Sequence, residues 1–106
     1  GGSIYIEPFT KRAINPLLKA FGKNPKNLIK TGLSFGGEPV ALGDGAVKIR
    51  AFPKIPITLV VWGEDEEFSA SGNILFDRSA GTILHTENYA LLASLVVYAL
   101  AKESAK

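Results

Sequence analysis

Four consecutive carboxylates, Glu64, Asp65, Glu66 and Glu67, form the densest set of reactive groups in the chain. Hard cations such as calcium and magnesium take oxygen ligands, so several carboxylates on one turn have the right chemistry for a cation site. Two features argue against it: neighbouring side chains on extended backbone point in opposite directions, and the Asp/Asn/Gly rhythm of a calcium loop is missing. The pattern favours a solvated, charged hairpin tip. Its functional version is a docking surface for a basic partner, with no metal and no cofactor.

Asp77, at a strand end after Phe76, could serve as a general base if a cleft held it beside Asp65 or Glu66. The commoner role of such a residue is to cap the next turn through its own backbone. His85 is the only histidine; without a second candidate ligand it reads as structural or exposed rather than as a metal ligand or proton carrier. Trp62, Phe68 and Phe76 could wall an apolar pocket above the acidic turn, as a planar cofactor would need, although such aromatics ordinarily fill a core. No nucleophile, base and orienting group share a catalytic spacing. Gly32, Gly36, Gly37, Gly43 and Gly45 do not form a phosphate-cradling loop, because no Gly-x-Gly-x-x-Gly joins a strand to a helix. The residues lean toward a non-enzyme without deciding the question.

The elements that must position these residues belong to one domain spanning residues 1–106, since a chain of 106 residues has room for a single core. Its 46% apolar and 21% charged residues suffice for a globular fold. Helical signals come first. Pro8 suits a first helical position, Asn15-Pro16 a second start or a kink, and Ile14, Leu17, Leu18 and Phe21 a buried stripe ended by Gly22. Asn24-Pro25 starts another helix, with Leu28, Ile29 and Leu33 as its apolar face and Gly36-Gly37 as its stop.

The pattern then changes to strand. Residues 39–42 and 46–52 read as a hairpin about Asp44-Gly45, with Val47, Ile49 and Ala51 on one face and Lys48 and Arg50 on a wet one. The apolar run Ile57 to Trp62 reads as a central strand buried on both faces, and Asn73 to Phe76 as its neighbour. Thr86 caps a helix over 87–102, where Ser94 is the only distinctly polar residue between Tyr89 and Ala101. So apolar a helix needs cover from the sheet and from other helices or a second chain. The expected fold is α+β: short N-terminal helices, a mostly antiparallel sheet of about four strands, and a long C-terminal helix on one face.

Charge is unevenly placed. Lys11, Arg12, Lys19, Lys23, Lys26 and Lys30 crowd the start, and residues 55–87 hold six carboxylates against Arg78, so a basic end and an acidic end are expected. A net charge of +2 with Phe9 and Phe21 at core spacing is too little for a nucleic-acid binder. The longest apolar stretch falls short of the ~20 residues of a membrane span, and no secretion signal opens the chain, so a soluble cytoplasmic protein is expected. The start at Gly1-Gly2-Ser3, without Met, reads as a cloning remnant or the cut end of something longer.

Three motifs in order carry a family likeness: Phe52-Pro53-Lys54-Ile55-Pro56, then Gly63-Glu64-Asp65-Glu66-Glu67-Phe68, then Ile74-Leu75-Phe76-Asp77. Phe9, Arg12, Pro16-Leu17, Gly36-Gly37, Leu84 and Thr86-Glu87 extend it over nearly the whole chain. The chain resembles the family catalogued as domain of unknown function 3786, whose members are longer at the front and carry a proline where this chain has Ser69-Ala70. The resemblance implies no established reaction. Fusion of some members to the cluster-binding module of corrinoid iron–sulfur proteins implies an anaerobic redox or methyl-transfer setting, with any cluster held elsewhere because this chain has no cysteine.

The favoured expectation is an accessory, protein-binding module that uses Trp62, Glu64, Asp65, Glu66, Glu67 and Phe68 as its contact surface. One alternative is a small-ligand or catalytic site between Trp62, Phe68, Asp77 and His85; the other is a fragment completed by homo-oligomerisation through the last helix.

Overall fold

The computed structural model describes residues 3–5, 11–51, 55–77 and 86–105. Pro8, Phe9, the Phe52-Pro53-Lys54 segment, Leu84 and His85 lie outside the described residues. The elements run β1 (Ser3–Tyr5), α1 (Lys11–Phe21), α2 (Pro25–Leu33), β2 (Glu38–Pro39), β3 (Gly45–Ala51), β4 (Ile55–Trp62), β5 (Ser71–Asp77) and α3 (Thr86–Ser104). The strands form one antiparallel sheet in the order β1-β5-β4-β3-β2. The α+β class therefore holds, with five strands rather than about four: three long ones flanked by two short edges.

The centre of this sheet follows from side-chain chemistry. β4 is a run of β-branched and aliphatic residues, which suit a pleated surface, and it pairs on both sides: Leu59 faces Val47 of β3 and Ile74 of β5. Side chains alternate across the sheet, so Val47, Ile49, Ile57, Leu59, Ile74 and Phe76 fall on one face, and each is buried. Leu17 and Phe21 from α1, Leu28 from α2, and Ala93, Val97 and Leu100 from α3 complete the same core. Among the described residues, helices cover this face only. On the other, Val60 and Pro56 are buried but Thr58 is half-buried and Trp62 is exposed, so β4 is not sealed on both sides as its composition implies. Lys48 and Arg50 are half-buried and exposed there, which fits the expected wet face.

The helices depart from expectation in instructive ways. α1 runs through Pro16, which lies exposed inside it, so Asn15-Pro16 starts no new helix; the ring removes one backbone donor but meets solvent, not the core. α2 begins as expected after Asn24 with Pro25 in the first turn, although the Asn24 side chain makes no capping bond. It ends in a Schellman arrangement: the Gly37 amide donates to the Gly32 carbonyl (2.9 Å), the Gly36 amide to Leu33 (3.0 Å), and Gly36 takes the left-handed φ of +77°. Leu33 is 50% exposed rather than part of the apolar face. The inward position next to it belongs to Gly32, where a Cβ would press on the methyls of Val47.

The hairpin before β3 is also different. Its left-handed residue is Gly43 (φ +56°), and Gly45 is already the first residue of β3. Asp44 is drawn away from a two-residue turn because its amide bonds the Val61 carbonyl (3.0 Å) and its carboxylate bonds the Gly63 amide (2.7 Å). Gly45 serves a close approach instead: a Cβ there would overlap the Pro25 carbonyl, so α2 could not seat on β3. Among the described residues, no helix is long and apolar enough to cross a membrane.

Leu59→Ala should cost about 2–5 kcal/mol in urea unfolding, because it empties a fully buried site at the sheet centre. Thr58→Ala, on the opposite face, should cost about 1 kcal/mol or less. Equal losses would mean that the two faces are not distinguished as described. Gly45→Ala should destabilise by about 1–3 kcal/mol in the same assay through collision with the Pro25 backbone, and a neutral effect would contradict that close approach.

Candidate functional site

The acidic segment connects β4 to β5 as the loop of residues 63–70. Five hydrogen bonds from its backbone amides hold it. Gly63 donates to the Asp44 carboxylate, and the Glu64 amide donates to the Gly22 carbonyl (3.2 Å) at the end of α1. The Asp65 amide donates to the Phe68 carbonyl (3.0 Å). The Asp65 carboxylate oxygen Oδ1 accepts from the amides of Glu67 (2.8 Å) and Phe68 (2.7 Å). Asp residues favour such local bonds because the short side chain reaches the backbone two and three residues on.

This arrangement divides the four carboxylates. Asp65 organises its own loop, whereas Glu64, Glu66 and Glu67 are exposed with no described structural task. Among the described residues, no group of three or more His, Asp or Glu is placed to hold a metal ion. Trp62 and Phe68 stand beside these charges, 39% and 70% exposed, while Phe76 is fully buried. The three aromatics do not form one wall: Phe76 is core and the other two belong to the surface. Together with Asp44, Gly63, Asp65, Ser69 and Ser71, they border an open depression of about 640 Å³.

Strand register separates Asp77 from this place. Trp62 pairs with Ser71 at the loop end of the sheet, and Asp77 ends β5 beside Ser3 of β1. Six residues of strand at ~3.3 Å each put roughly 20 Å between Asp77 and the loop end. Asp77 therefore joins neither Asp65 and Glu66 nor Trp62 and Phe68 in one site. The structure brings together Trp62, residues 64–67 and Phe68, and it adds Asp44, which sequence reasoning assigned only to a turn. No local signal could have revealed that role, since the partner of Asp44 is 19 residues away.

The expected separation into a basic and an acidic end is also corrected. The Glu64–Gly22 bond sets the acidic loop against the α1–α2 turn, and a Cβ on Gly63 would meet the Pro25 ring. Lys23 and Lys26 lie in or next to that turn and are exposed. Charge blocks distant along the chain thus border one another in space, and what remains is a local acidic patch flanked by lysines.

Comparison with known proteins adds one match. Neither the curated proteins nor the solved structures give a relative. A family model does match, over residues 1–99 and so almost the whole chain. Its description assigns no activity, and residues 63–70 and their neighbours lie within the matched span. The chain belongs to the family described as the domain of unknown function DUF3786.

Proposed function

We propose that this chain is a non-enzymatic protein-binding module, whose rim of Trp62, Phe68 and the carboxylates at 64–67 docks a partner segment carrying basic side chains beside an apolar one. The observation behind this is that a loop pinned by several hydrogen bonds nevertheless leaves Phe68 70% exposed and Trp62 39% exposed, next to three exposed carboxylates that make no side-chain bond among the described residues. Burying a Phe side chain is worth about 1.5–3 kcal/mol, and folding leaves most of that unrealised here. An apolar group from a partner recovers it, and basic side chains on either side meet Glu64, Glu66 and Glu67.

The sign of the patch disfavours nucleic acid and anionic membrane surfaces, both of which present phosphate. The family resemblance supplies the setting: a cytoplasmic accessory to an anaerobic redox or methyl-transfer protein of the corrinoid iron–sulfur kind, with the cluster on the partner because this chain has no cysteine. A ligand or catalytic site joining Trp62, Phe68, Asp77 and His85 gains no support from the register of β4 and β5.

Trp62 is the sole tryptophan, so its emission reports occupancy of the rim. A synthetic peptide with lysines flanking a leucine should shift that emission. The Glu64→Gln/Glu66→Gln/Glu67→Gln variant should bind it about tenfold more weakly at low salt, and the difference should shrink as salt rises. Equal affinity for variant and parent would overturn the charge component. Asp65 is kept because its role is different: Asp65→Ala should speed amide exchange at Glu67 and Phe68 even without peptide, and unchanged exchange would contradict its structural assignment.

A further inference from the structure

A groove of about 280 Å³ runs between α3 and the edge of β3. Leu92, Val96 and Ala99 line it on the helix side and Phe35 on the other, with the buried Ile49 and Leu100 between them. A second, polar recess of about 80 Å³ is lined by Gly36, Glu38 and Lys48. Phe35 and Arg50 border both, so the apolar groove and the polar recess meet at these two residues.

Arg50 brings two anion-binding groups to that junction. The Val40 amide donates to the Ala46 carbonyl (3.0 Å), so by the two-residue alternation of an antiparallel ladder Ala46, Lys48 and Arg50 turn their backbone groups toward β2. β2 pairs with Val47 and Lys48 and reaches no further along β3. The Arg50 amide therefore faces the sheet edge with no strand beside it among the described residues. The Arg50 side chain is exposed, its cross-strand neighbour is Pro56, and the carboxylate of the recess, Glu38, stands opposite Lys48 instead. Lys48 and Arg50 against Glu38 leave the recess with one positive charge.

We infer that the groove binds a free medium-chain acyl carboxylate, its tail against α3 and its head at Arg50. An apolar groove alone would admit any greasy group. What selects a monoanionic amphiphile is the junction, where a guanidinium and an uncommitted backbone donor stand at the place the apolar wall ends. Volume sets the length: with the roughly 30 Å³ share of a liquid water molecule as the measure of one methylene, the groove holds about nine carbons, the tail of decanoate. The two chains of a phospholipid exceed that space, and an added peptide strand needs a longer open edge than one amide. This site is independent of the acidic rim, and failure of one leaves the other standing.

Titration of the isotope-labelled chain with decanoate should shift the amide resonances of Ile49, Arg50, Val96 and Ala99, with a dissociation constant on the order of 100 μM. Octanoate, two methylenes shorter, should bind about tenfold more weakly, whereas dodecanoate should gain less than about threefold because the groove is already full. Decyltrimethylammonium has the same tail and the opposite head charge; it should bind at least about tenfold more weakly than decanoate, and Arg50→Glu should reverse that order. Ala99→Phe, which fills the groove, should weaken decanoate about tenfold or more, and if that variant disturbs the fold the chain-length series on the parent decides. No shift at these residues up to about 10 mM decanoate, equal affinity for octanoate and decanoate, or indifference to head charge would each overturn the inference. So would binding to anionic phospholipid vesicles without binding to free decanoate, which would assign the groove to a membrane surface.

Discussion

The burial of one row of side chains, Ile57, Leu59 and Val61 on β4, constrains the rest of the molecule. β4 is flanked by β3 and β5, so each of these residues has a strand neighbour on both sides and the helix layer above. Removing that row from water is worth several kcal/mol, comparable with the whole net stability of a small domain. A one-residue slip of β4 would turn the row to the opposite face, where Thr58 and Trp62 meet solvent. Register is therefore fixed by hydrophobicity, and it places Trp62 and the loop after it.

Close backbone approaches convert this sheet into a scaffold for the rim. Gly45 lets the start of α2 press on β3, and Gly32 lets the same helix lie against Val47. The α1–α2 turn is thereby held beside the β4–β5 loop, where the Gly22 carbonyl receives the Glu64 amide. On the other side, the segment before β3 folds over Val60 at Gly43 and offers Asp44 to the Gly63 amide. The acidic loop is thus suspended between two neighbours, and Asp65 closes it from within. Exposure of Phe68 on such a loop cannot be put down to a lack of order.

Much of this was legible in the residues. The β-branched run at 57–62, the wet positions Lys48 and Arg50, the stop at Gly36-Gly37 and the long last helix all follow from period and propensity, which are local. The misreadings share a non-local cause. Asp44-Gly45 resembles a tight turn until Gly63 claims the carboxylate, and Leu33 resembles core until the contact between Gly32 and Val47 rotates it outward. Edge strand β1, three residues paired with Leu75, Phe76 and Asp77, is too short to announce itself. Distribution of charge along the chain misled most, because the fold sets lysines of the α1–α2 turn beside the acidic loop. For the candidate site, residue types were readable but company was not: pairing alone separates Asp77 from Trp62.

The rim thus depends on one inner row. The most direct test of that dependence is native-state amide hydrogen exchange. If β4 carries the fold, the amides of Leu59, Val60 and Val61 should exchange only through global unfolding, with the same free energy that urea denaturation gives, while those of Glu66 and Ser69 exchange many orders of magnitude faster. Exchange of the β4 amides at rates close to those of the loop would show that the row does not hold the sheet, and the position of the rim would lose its basis.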